Sequence, residues 1–216
     1  MDKTTIATEL LGASASVALL AAYQLWLRAR VRLDPSRSVH SLNRLARAAW
    51  VEAMMGNPAN GVLAIQTLRN SVMASTLMAS TSVLLIIGAL SASADPAKFS
   101  ALWPHAALVK ILALLVALFL SFFFFAMAVR IFNHVGYMIT VPPERSLPEL
   151  SPPQVIAHLE RAGFYHFLGL RTFLFCIPLV FWLFGPHLMV AASIGLVFAL
   201  YRLDRAPPPP PADAPS

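Results

Sequence analysis

The stretch TFLFCIPLVFWLFGPHLMVAASIGLVFALY, Thr172 to Tyr201, decides how often this chain crosses a membrane. As one straight helix it would measure about 45 Å, well beyond the roughly 30 Å of a bilayer's hydrocarbon core. Gly185-Pro186-His187 interrupts it. A Gly-Pro pair cannot continue a regular helix, so two antiparallel helices joined by a tight turn are predicted, with a single broken helix as the alternative. Three further apolar regions, Ile6 to Leu27, Ser71 to Leu90 and Leu108 to Val129, are each one span's worth of helix. The fold class that follows is all-α: a polytopic helical membrane protein with four to five transmembrane helices.

The whole-chain composition agrees. Of 216 residues, 58% are hydrophobic and 12% charged, against about 45–50% and 25% in soluble domains. The sequence pI of 10.1 raises nucleic acid as a partner, but the placement of charge argues against it. All 13 arginines fall in three blocks, Arg28 to Arg69, Arg130 to Arg171, and Arg202 with Arg205, while Lys3, Lys98 and Lys110 lie elsewhere. Loops rich in Lys and Arg stay in the cytoplasm. Five spans put every arginine inside and every lysine outside, with the N-terminus outside and the C-terminus inside. Lys110 is expected to snorkel to the outer interface, and no Asp or Glu is expected within the span cores. The N-terminal segment lacks a basic n-region and reads as an uncleaved anchor. Residues 1–205 are predicted to form a single integral membrane helical domain, and residues 206–216 a disordered proline-rich tail.

Between the first two spans, Val39, Leu42, Leu45, Ala46, Ala49, Trp50 and Ala53 recur at helical spacing, with Arg37, His40, Arg44 and Arg47 on the other side. This predicts a cytoplasmic amphipathic helix. Gly56-Asn57-Pro58 ends it, with Asn57 placed to cap the next helix. Ser151-Pro152-Pro153-Gln154 reads as a capping box opening a short helix that ends near Gly163.

In QTLRNSVMASTLMASTSVLLIIGAL, Gln66 to Leu90, the residues Ser71, Ser75, Ala79 and Ser82 fall on one arc of a helical wheel. Small residues three and four apart allow close helix packing in lipid, so this arc is the predicted packing face. The polar start raises a second possibility. Gln66, Arg69 and Asn70 enter one span, Arg130, Asn133 and His134 leave the next, and Arg171 begins the fourth. They are either snorkelling interface residues or one polar site for an anion, because guanidinium and amide groups together form a directional receptor.

The segments QTLRNSVMASTLMASTS, RIFNH (Arg130 to His134), GLRTF (Gly169 to Phe173) and PLVFWLFGP (Pro178 to Pro186) resemble the uncharacterised membrane-protein family catalogued as domain of unknown function 599. The resemblance extends to about Asp204. It implies an integral membrane protein of bacteria and plants, and no known activity or site residues. The alanine- and arginine-rich, lysine-poor composition suggests GC-rich coding, hence a bacterial cytoplasmic (inner) membrane.

No phosphate loop, dinucleotide fingerprint, HExxH or cysteine metal spacing occurs, and Cys176 stands alone. The reading is therefore a non-enzymatic membrane binding or interaction protein, with no catalytic residue, metal or cofactor expected. Its polar site would face the cytoplasm and take a partner protein or anionic lipid. The expected partners are the bilayer, anionic lipids, and another protein or a second copy of the chain; nucleic acid is not among them. Two alternatives remain, a small-molecule transporter or channel working as an oligomer, and a redox or enzyme subunit using His134, His158 and His166.

Overall fold

A computed structural model describes residues 3–33, 39–94, 107–141 and 147–205. They form α1 (Lys3–Leu33), α2 (Val39–Met55), α3 (Gly61–Ala92), α4 (Ala107–Ile139), α5 (Pro152–Phe184) and α6 (Pro186–Leu203), with short 3-10 turns at Pro58–Asn60 and Pro148–Leu150. No strand occurs among the described residues. All but α2 are long and apolar enough to cross a membrane, which makes this an all-α polytopic membrane protein. The proline-rich tail lies outside the described residues.

The break at Gly185 is a true helix boundary. Its φ of 149° and ψ of 157° belong to a region that side-chain-bearing residues avoid. Pro186 then opens α6 at a position where a missing N–H is harmless. The Thr172–Tyr201 run therefore contributes the end of one span and most of another.

Against expectation, α5 does not end near Gly163 but continues through it. The Arg47 guanidinium explains the glycine: a Cβ at position 163 would lie 2.6 Å from Arg47 Nη1. A larger residue at position 163 would have to move the flexible Arg47 guanidinium that covers it. The Ser151 capping box also does not form, since Ser151 occupies the N-cap position without a side-chain cap bond. Asn57 does cap, accepting from the Ala59 N–H at 3.0 Å at the start of the 3-10 turn.

Helix α4 packs chiefly against α3 on one side and α5 on the other, while α6 packs against α5 and α1. At the arginine-rich end, Val51 of α2 joins Leu68, Phe132, Val135, Val155 and Leu159 in a buried cluster. A deeper cluster contains Ile86, Leu114, Leu118 and Cys176, and Tyr23, Leu196 and Leu200 join α1 to α6. Gly12 permits the close approach of α1 to the start of α6, because a Cβ there would fall 2.5 Å from Pro186 Cβ.

The docking face of α2 is rotated from the one that periodicity suggests, with Trp50 common to both. Val51 is fully buried, with Trp50, Met54 and Met55 beside it, whereas Leu42, Leu45, Ala46, Ala49 and Ala53 are exposed. The basic side adds polar contacts to these. Arg44 Nε donates to Glu160 Oε1 at 2.8 Å, and Arg47 lies over Gly163. Burial depresses the Arg47 pKa, opposed by Glu160 and reinforced by Arg44.

Candidate functional site

A polar seam runs along α3, α4 and α5. Serine is useful here because its hydroxyl can bond its own helix and still reach a neighbour, in surroundings where an unpaired polar group is expensive. Ser75 donates to the Ser71 carbonyl at 2.9 Å, and His166 Nδ1 lies 2.8 Å from the same hydroxyl. An Nδ1–H tautomer completes the pair. Ser121 donates to the Gly169 carbonyl at 3.1 Å and lies 3.4 Å from Ser82, whose hydroxyl also reaches the Met78 carbonyl at 3.0 Å. In the predicted packing face, Ser75, Ala79 and Ser82 are buried and Ser71 is half-buried; the neighbouring Val72 is half-buried against the arginine-end cluster.

The residues of the predicted polar site do not converge on one place. Gln66, Arg69, Asn70 and Asn133 are exposed and line neither of the two clefts that hold the other three. Arg130 and His134 share a cleft of about 540 Å³ between α4 and α5 with His158, Arg161 and Tyr165. Arg171 lies apart, in a groove between α1 and α5. The single site divides because α3 presents its first turns on a different surface from the α4–α5 cleft, a distinction that depth along a helix cannot make.

The α1–α5 groove is the better-built feature. It encloses about 440 Å³ and has two kinds of wall. Leu27, Val31, Phe164, Leu168 and Phe175 form the apolar one, and Arg28, Arg32, Arg171 and Asp204 the charged one. Arg171 is 5% exposed and its guanidinium stacks 4.9 Å from the Phe167 ring centre. Its Nη2 donates to Asp204, which also accepts from the Tyr23 hydroxyl at 2.6 Å. The Arg171 Nη1 is buried without a hydrogen-bond partner. A buried guanidinium with one nitrogen satisfied and another left without an acceptor is a donor short of a partner in the lining of this groove. Asp204 caps the end of α6, a helix of 18 residues or about 27 Å, so the groove lies near one edge of the hydrocarbon layer.

The opposite end carries a second acid–base cluster. Lys110 does not snorkel: it is 1% exposed and donates to Glu9 Oε1 at 2.8 Å. Trp182 Nε1 donates to Glu9 Oε2, also at 2.8 Å. Glu9 falls near the start of the apolar stretch of α1, which runs from Ile6 to Leu33, at the edge of the span and outside its core. Tyr23, Asp204, Glu9 and Trp182 are isolated polar residues with no periodic signal, and only tertiary contacts reveal them. Among the described residues there is no group of three or more His, Cys, Asp or Glu arranged to hold a metal ion.

These features define a helical integral membrane protein with a charged, amphiphilic groove at one end. The chain belongs to the family described as protein of unknown function, DUF599, whose model matches residues 12–208. No curated protein and no solved structure matches it.

Proposed function

We propose that this is a non-enzymatic membrane protein that binds anionic lipid at its arginine-rich end, in a bacterial cytoplasmic membrane with the N-terminus outside and the C-terminus inside. The orientation is supported by the three arginine blocks, which cytoplasmic loops favour. The binding function rests on one observation, the α1–α5 groove in which Arg28, Arg32 and Arg171 face an apolar wall. An anionic headgroup would satisfy the guanidiniums while its chain lies against Leu27, Phe164 and Phe175. Paired arginine contacts to an anion supply direction as well as charge.

Purified protein tests this by its melting temperature in detergent, with added anionic or zwitterionic lipid. A ligand that binds only the folded state raises stability with the logarithm of its free concentration once that exceeds Kd. Anionic lipid should raise the melting temperature of the natural protein, and Arg28→Gln/Arg32→Gln should lose most of that rise. An unchanged rise in the double variant would remove the groove from the function.

A further inference from the structure

We infer that the ligand of the α1–α5 groove is a phosphate monoester carrying a single apolar chain. The inference rests on the reading of the groove as an anionic-lipid site and goes on to name the headgroup. Its first support is charge. Three arginines, the exposed Arg28 and Arg32 of α1 and the buried Arg171 of α5, line the groove with one carboxylate, Asp204 beyond α6, which leaves two positive charges in excess. A phosphate diester brings one negative charge and leaves the groove unbalanced. A monoester, with a second pKa near about 6, brings nearly two at neutral pH.

The second support is the unpartnered Arg171 Nη1, buried at the charged wall. Asp204 holds that guanidinium and the Tyr23 hydroxyl holds Asp204, so Nη1 is the fixed donor that a ligand oxygen reaches once neighbouring side chains give way. The terminal phosphate of a monoester offers three unesterified oxygens, enough for Arg171 and both arginines of α1. A diester offers two. The third support is size: about 440 Å³ lies toward the small end of ordinary ligand pockets, suiting a headgroup and the beginning of one chain better than two chains side by side.

The experiment compares single-chain lysophosphatidate with lysophosphatidylglycerol of the same chain, and with inorganic phosphate, by apparent Kd to the full chain in neutral detergent. At pH 8 lysophosphatidate should bind roughly tenfold tighter than the diester, the worth of one additional charge-assisted contact. The advantage should shrink as pH falls to 5, where the monoester loses its second charge. None of the described lining residues of the groove is a histidine, and its one lining carboxylate is Asp204, which Arg171 and Tyr23 hold.

Arg171→Gln should abolish the advantage. If that variant does not fold, Arg28→Gln/Arg32→Gln carries the same expectation with the Arg171–Asp204 pair intact, and Arg130→Gln in the other cleft should retain it. Equal binding of both lysolipids would overturn the inference while leaving an anionic-lipid site. Absence of binding by either would overturn the lipid reading as well. Inorganic phosphate binding as tightly as lysophosphatidate would overturn the role of the apolar wall.

Discussion

Lys110 and Glu9 form a 2.8 Å ion pair that joins α4 to α1 at the end of the bundle opposite the arginine groove. Removing one member of a buried pair leaves an uncompensated charge and typically costs about 3–5 kcal/mol. Lys110→Met and Glu9→Gln should each lower the melting temperature markedly. The double variant should fall by much less than the two losses together, because neither partner is then stranded. Additive losses would mean that the pair contributes nothing as a pair.

Two glycines predict opposite outcomes. A Cβ at Gly169 would meet the Phe125 ring at 2.9 Å, whereas one at Gly195 meets nothing within 4 Å. Gly169→Ala should therefore destabilise by about 1–3 kcal/mol through overpacking. Gly195→Ala should stabilise by about 0.5–1 kcal/mol, because alanine loses less conformational freedom in a helix. Thermal unfolding of the two variants side by side gives the comparison.

The serine seam makes a third prediction. Ser75 is fully buried against His166, while Met73 is 61% exposed. Ser75→Leu should lower stability by about 1–3 kcal/mol through overpacking and loss of the His166 contact, and Met73→Leu by well under 1 kcal/mol. Similar melting temperatures for both would show that α3 does not pack through Ser75.

Orientation is tested by cysteine accessibility in a Cys176→Ser background. Ala94→Cys, just beyond α3, should react with an impermeant reagent in intact cells, and Arg205→Cys, just beyond α6, should react only after lysis. The reverse pattern would invert the protein in the membrane.

Arg130 and Arg161 share a cleft that Arg69 does not line. Neutral replacements of Arg130 and Arg161 should couple in their effect on the melting temperature without lipid, whereas Arg69→Gln combined with Arg130→Gln should be additive. Coupling between Arg69 and Arg130 would restore the single polar site expected from their common depth.

The number of spans was legible because length and the Gly185-Pro186 break are local properties of the chain. Helix α2 shows where local reading stops: periodicity identifies Leu42, Leu45 and Ala49 as one apolar face but cannot tell protein from lipid as its cover. The same limit applies to Gly163, which looks like a helix end until Arg47 of another helix lies across it. Glu9 and Lys110, like Tyr23 and Asp204, are far apart in sequence and become a motif only when α1 has found its neighbours. Arg171 stood out from sequence as polar, but the residues that complete its groove did not.

The two clusters that hold α1 also impose an order on biosynthesis. Glu9 and Tyr23 emerge from the ribosome first, yet Lys110 and Trp182 come from α4 and α5, and Asp204 follows α6. Until those segments are made, the nascent first span carries a carboxylate with none of its final partners. The contacts of α1 are completed only after α6 has been made, and a chain truncated before Asp204 leaves the Tyr23 hydroxyl and the Arg171 guanidinium without the carboxylate that joins them.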